Sequence, residues 1–199
     1  MNITGAILAG GSSDNAPSSR SGAFGTYNGE MLLDRQLAVL SELCEERIVV
    51  TDAPKPFLDV LDSKVRLITD YASGSGALGG LHAALHLSTH PLVWALACDM
   101  PLVTKDAAVF MAERISGYDA VVPVLNNRLQ PWCSIYTKRC AKVASELLHN
   151  GMASPLVFLS FIHYKPIHVS EFVSHGIDPS FLYRMSHPHD LLKTKQSQS

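Results

Sequence analysis

The sequence predicts an α/β fold in three layers, α/β/α, on a mainly parallel Rossmann-like sheet, and three observations predict it. Short apolar runs such as "RIVVT" and "LVWALA" alternate with stretches whose apolar residues recur every three or four positions. Strands alternating with helices at this spacing imply βαβ units with right-handed crossovers and helices on both faces of the sheet. Hydrophobic residues make up 47% of the 199 and charged residues 17%, enough for a sizeable core in one domain. That domain is read as 1–192, with a polar, fraying tail over 193–199.

Each element has its own reason. Ile3–Leu8 is an apolar run and reads as the first strand. Met31–Cys44 carries apolar residues at 32, 33, 37, 40 and 43, a helical stripe. Arg47–Thr51 is a short buried strand ended by Pro54 and Pro56; Phe57–Leu61 is a short helix and Val65–Ile68 the third strand. Gly79–Leu87 follows a glycine-rich turn as a helix, and Leu92–Ala97 is a central strand. Thr104 is placed to cap a helix running through Ile115. Ala120–Val124 is a strand bounded by Pro123 and the turn Asn126-Asn127, and Trp132–Tyr136 is a further strand after Pro131. Lys138–His149 is a helix stopped by Asn150-Gly151. A short helix at Leu156–Phe161 and a strand at Tyr164–Val169 follow.

Composition excludes several function classes. A formal charge of −2 marks no binder of nucleic acid or anionic membrane. The chain has no apolar run long enough for a membrane span and no signal-peptide layout at its start, so the expectation is cytoplasmic. Cys44, Cys98, Cys133 and Cys140 show no CxxC or zinc-ribbon spacing and read as small buried hydrophobes in a reducing compartment. His82 and His86 share a helix face with His90 just beyond, but "HAALH" lacks the glutamate of HExxH and reads as surface or packed histidine.

Ligands of open α/β sheets sit beyond the carboxyl ends of the strands, and three features fall there. The first is Leu8-Ala9-Gly10-Gly11, where glycine lets backbone N–H groups approach an anion; it is neither GxxxxGK[ST] nor GxGxxG. The second is Asp70, followed by Gly74, Gly76 and Gly79-Gly80, an acid able to accept from a base edge beside a helix N-terminus. The third is Asp99 in "LACDMPLV", one carboxylate where a buried strand ends, suited to Mg²⁺ shared with phosphates and water. Taken one by one, these also read as an ordinary glycine turn, a turn acid and a strand-end cap.

The order LAGG, NGEMLL, Asp70 followed by GALGG, CDMP, QPWCSIY and LLHNGMASPLVFL resembles the molybdenum cofactor guanylyltransferase family over about Ile3 to Leu192. The resemblance implies a glycosyltransferase-A-like nucleotidyltransferase fold. It implies that Leu8, Ala9, Gly10 and Gly11 pass the nucleotide along the backbone, with Gly76 in the second turn. It also implies that Asp70 recognises guanine and Asp99 coordinates Mg²⁺. The implied reaction is attack of a molybdopterin phosphate oxygen on the α-phosphate of GTP, releasing pyrophosphate. Its partners would be GTP, a molybdopterin-type acceptor and molybdoenzyme-maturation proteins.

The chain departs from that pattern in its cations. The family's loop reads LAGG-x-S-x-R-x-G with a lysine several residues later. Here "SSDNAPSSRSGAFG" holds Arg20 alone, Gly22 falls near the lysine's place, and Glu30 replaces a second lysine. The expected N-x-N-T-P-E-D-L appears as "RMSHPHDL". Arg20 is the candidate replacement cation and is assigned a catalytic role with Asp99; Arg184 is a further candidate. A diverged, non-catalytic relative that binds a nucleotide or partner protein is the other reading. A cytidylyltransferase for sugar or isoprenoid precursors shares the fold but also wants a basic first loop.

Overall fold

The computed structural model describes residues 2–10, 22–69 and 76–185. The chain opens with β1 (Ile3–Leu8), a 3-10 turn at Gly22–Phe24, and the hairpin β2 (Thr26–Tyr27) and β3 (Glu30–Met31). Next come α1 (Leu32–Ser41), β4 (Glu46–Thr51), α2 (Lys55–Leu58), β5 (Val65–Thr69), α3 (Gly76–Leu87) and β6 (Leu92–Ala97). The second half holds α4 (Lys105–Ala112), β7 (Ala120–Leu125), β8 (Arg128–Leu129), β9 (Cys133–Thr137), α5 (Cys140–His149) and α6 (Pro155–Ser160). It ends with β10 (Tyr164–His168), α7 (Val169–Ser174) and a 3-10 turn at Pro179–Leu182.

Among the described residues the main sheet has the order β10-β7-β9-β6-β1-β4-β5, with β8 beside β7. β1 pairs parallel with β4 and β6, β4 with β5, and β7 with β10. β9 is antiparallel to both β6 and β7, and β8 is antiparallel to β7. The sheet is therefore mixed but mostly parallel, with helices on both sides, as the alternation of elements predicts.

Successive side chains of a strand point to opposite faces, and two cores follow from that period. Ile3 and Ile7, Val49, Trp94 and Leu96 face α1, α4 and α7 through Leu33, Leu40, Phe110, Met111 and Phe172. Ala6 and Leu8, Ile48 and Val50, Val93 and Ala95 face α3, α5 and α6 through Leu81, Leu85, Ala144, Leu147 and Phe158. Burial on both faces is what a parallel centre requires.

Several local expectations are corrected. α3 begins at Gly76, not Gly79; glycines are poor helix formers, but Gly79 and Gly80 are buried with Leu78 and Leu81, so packing overrides propensity. Pro123 lies inside β7 instead of ending it. β7 pairs with β9 at Ala120 and Val121 and with β8 at Val124 and Leu125, so the proline occupies the gap between those partners. Asn126 and Asn127 both take positive φ, 50° and 58°, and turn β7 into β8. Thr104 caps α4, accepting from the Ala107 N–H at 3.4 Å, but the helix ends at Ala112. α5 stops where Gly151 takes φ 72°.

At the amino ends of the strands Glu46 is buried and heavily bonded. Its Oε2 accepts from the Thr4 hydroxyl at 2.6 Å, the Thr89 N–H at 2.8 Å and the Thr89 hydroxyl at 3.0 Å, while Arg66 pairs with Oε1. His90 Nδ1 lies 3.9 Å from Oε2, and its Nε2 lies 3.3 Å from Glu45. Burial works to raise the Glu46 carboxyl, but these donors outweigh it and hold the group below its ordinary value. A folded value below the unfolded one gives stability that is full above the unfolded value, about 4.3, and lost as pH falls through the folded one. Glu46→Gln is therefore expected to flatten the loss of stability below about pH 4.3, measured by urea unfolding between pH 3 and 7. Parallel pH profiles for the two proteins would remove Glu46 from the acid response.

Candidate functional site

The sheet grows to one side of β1 through β4 and β5, then crosses to the other side with β6. That reversal lies between β1 and β6, and open α/β sheets bind ligands in the crevice outside the carboxyl ends of the strands at such a point. Leu8 is in register with Ala97, and the Cys98 N–H donates to the Leu8 carbonyl at 3.3 Å. The strands end level, with Gly10 and Asp99 each two residues beyond the end of its strand.

The exit of β1 is tight, and Gly22 packs in ordinary contact beside Asp99. A Cβ on Gly10 would stand 3.2 Å from the Asp52 nitrogen and 3.4 Å from Thr51 Cα, so any larger residue would press on the backbone leaving β4 by a few tenths of an ångström. A Cβ on Gly22 would stand 3.4 Å from Cys98 Sγ and 3.5 Å from Asp99 Cβ. The chain thus leaves the sheet against β4 at Gly10 and is next described against Asp99 at Gly22.

The segment carrying Asp99 is clamped from α1. Gln36, fully buried, donates from Nε2 to the carbonyls of Ala97 at 2.8 Å and Met100 at 3.0 Å. Arg35 donates to the Pro101 carbonyl and pairs with Glu30 at 2.7 Å. On the far side the Ala97 N–H donates to Trp132 O at 2.8 Å, while Ser134 and Tyr136 hydroxyls hold the carbonyls of Gln130 and Pro131 at 2.7 and 2.8 Å. The "QPW" stretch therefore abuts the end of β6.

Asp99 itself is only 7% exposed. Arg184 Nε donates to both of its oxygens, at 2.9 Å to Oδ1 and 3.2 Å to Oδ2, and the Met185 N–H donates to the Asp99 carbonyl at 2.9 Å. Beside it, burial first and the Asp99 charge second push the Cys98 thiol up to about 12. Burial likewise raises Cys44 and Cys133 to about 12 and Cys140 to about 11. These unpaired thiols stay protonated at neutral pH and are poor nucleophiles.

Of the residues expected to bind a nucleotide, Leu8 touches the segment that carries Asp99 through the Cys98 N–H, while Ala9 and Gly10 run on against β4. Leu8 and Ala9 are buried, and the Ala9 N–H is spent on the Val50 carbonyl at 2.8 Å, which leaves Gly10 as the half-buried end of that stretch. Gly76 opens α3 with φ 57° on the β5 side. Gly11, Arg20 and Asp70 lie outside the described residues, as does the 193–199 tail. Arg184 is not a loose surface cation but a direct partner of Asp99. Gln36 was not anticipated; a polar residue on the buried face of α1, among Leu33 and Leu40, was the available signal.

His82 and His86 stack at 5.8 Å in a groove that also holds Lys142 and Glu146 of α5. Among the described residues no three His, Cys, Asp or Glu side chains gather to hold a metal, and no helix is long and apolar enough to cross a membrane.

Comparison with known proteins agrees on one family. A model described as a MobA-like NTP transferase domain matches residues 5–160. Molybdenum cofactor guanylyltransferase of Desulfosudis oleivorans is 31% identical over 150 residues, 75% of this chain and 72% of that protein. Probable molybdenum cofactor guanylyltransferase of Pelotomaculum thermopropionicum is 28% identical over 200 residues, 98% of this chain and 93% of that one. Among solved structures, molybdopterin-guanine dinucleotide biosynthesis protein A from Archaeoglobus fulgidus superposes with a TM-score of 0.77 at 20% identity, covering 98% of each chain. The 2-C-methyl-D-erythritol 4-phosphate cytidylyltransferase of Thermus thermophilus gives a TM-score of 0.65 at 15% identity, covering 99% of this chain and 98% of that one. At these identities the two structures speak to the fold.

Proposed function

The chain belongs to the MobA-like NTP transferase family of nucleotidyltransferase enzymes, and on that premise we propose that it transfers GMP from GTP to molybdopterin. The observation that carries the reading is the level pairing of β1 and β6 at the sheet's switch point, where the Cys98 N–H holds the Leu8 carbonyl and Asp99 follows as a carboxylate just beyond the strand end. A molybdopterin phosphate oxygen attacks the α-phosphorus of GTP, a new P–O bond forms, and the bond to the β-phosphate breaks with its electron pair leaving on pyrophosphate. Little covalent work falls to the protein; position and charge do most of it.

The donor chemistry at Asp99 fits Mg²⁺, which is commonly bound by one or two hard carboxylates completed by phosphates and water. A cationic group already rests on both Asp99 oxygens, evidence that the position attracts positive charge. When bound there, the ion would neutralise charge on the phosphates and the departing pyrophosphate. Asp99 would hold it, the Gly10 backbone would pass the nucleotide, Gln36 would keep the Asp99 segment rigid, and Asp70 and Arg20 would act on guanine and phosphates.

A non-catalytic, nucleotide-binding relative is the second reading, favoured by the Arg184 contact on Asp99 and by Gly22 where the resemblance expects a lysine. Thermal unfolding with GTP, ATP and CTP in the presence of Mg²⁺ separates the readings from no binding at all. GTP at a hundred times its dissociation constant stabilises the fold by about 2.7 kcal/mol. For a protein of this size that raises Tm by roughly 5–11 °C. No shift with millimolar GTP would overturn the guanylyltransferase reading, and a shift without pyrophosphate release would leave the binding protein.

A further inference from the structure

We propose that Arg184 is an internal counter-cation that a divalent ion must displace from Asp99, and that the released guanidinium then serves the nucleotide phosphates. The inference rests on the nucleotidyltransferase reading for its second half only. Arg184 Nε donates to both carboxylate oxygens, at 2.9 and 3.2 Å, the same oxygens that would hold a divalent ion. The two partners are 85 residues apart, yet the arginine is delivered by a packed segment. Phe181 and Leu182 of the last 3-10 turn are buried, Phe181 meets Phe172 at 4.9 Å, and the Met185 N–H fixes the backbone to Asp99 at 2.9 Å.

The pairing also has a shape suited to exchange. The side chain of Arg184 is 28% exposed and that of Asp99 10%, so the guanidinium lies at the mouth of the crevice and the carboxylate behind it. Both contacts come from Nε, so the remaining four N–H donors of the guanidinium are not spent on this carboxylate. Gly22 packs against Asp99 Cβ without a side chain of its own, while Arg184 reaches the carboxylate from the other end of the chain. A guanidinium that moves from a carboxylate to phosphate keeps charge-assisted bonds in both states.

The test is a titration of the full chain with Mn²⁺ alone, followed by the free-ion electron paramagnetic resonance signal. Arg184→Gln is expected to bind Mn²⁺ at least fivefold more tightly than the unsubstituted protein, Arg184→Lys to fall between, and Asp99→Asn on the Arg184→Gln background to cancel the gain. A structural role alone would not raise metal affinity. Equal Mn²⁺ affinity in the Arg184→Gln and unsubstituted proteins, or a gain that survives Asp99→Asn, would overturn the competition. At saturating Mn²⁺, GTP binding by Arg184→Gln is expected to weaken about tenfold, and unchanged binding would overturn the phosphate role. If no protein binds GTP while the Mn²⁺ gain remains, the nucleotide reading and the phosphate role fail and the competition at Asp99 stands.

Discussion

Asp99→Asn is expected to lower the rate of pyrophosphate release from GTP and molybdopterin by about 10²–10³-fold, the scale of losing one preorganised partner of transition-state charge. The amide keeps an oxygen that can accept from Arg184 Nε but loses the charge that attracts a cation. The cost to folding is smaller, about 1–3 kcal/mol for a weakened bond to a charged group, and circular dichroism checks that the fold survives. The decisive comparison is at saturating GTP and Mg²⁺, where a loss confined to KM would point to binding and a loss in kcat to the chemical step. A variant that turns over at the unsubstituted rate would remove Asp99 from the mechanism.

Phe172→Ala is expected to lose about 3–5 kcal/mol of stability, a large share of the roughly 5–15 kcal/mol a domain possesses. Phe172 is fully buried, and its ring centroid lies 4.9 Å from those of both Phe110 and Phe181. It thereby joins α4, α7 and the last 3-10 turn. Removing it leaves a cavity beneath the segment that delivers Arg184. For a chain of this length, Tm should fall by roughly 6–20 °C, measured calorimetrically. A fall under about 2 °C would mean that the three rings do not form a packed joint.

What the sequence disclosed followed its periods. β1 and β6 occupy the residues that their apolar runs mark, Thr104 caps α4, and Gly151 ends α5, because these signals are local. Strand direction is not written in a period of two, so nothing local announced that β9 runs antiparallel between β6 and β7. The two-residue strands β2 and β3 are too short to show alternation, and α7 with the 3-10 turn after it was equally invisible. Gly10 and Asp99 were legible because strand ends can be read. The pairing of Asp99 with Arg184 was not, since it joins positions 85 residues apart through packing that no single stretch contains.

The polar tie at Glu46 lies at the amino end of β4, and the crevice lies beyond its carboxyl end, roughly 17 Å along a six-residue strand. An acid-sensitive tie and the proposed ligand end thus stand at opposite poles of one sheet. A substitution at the crevice rim leaves the bonds to Glu46 in place.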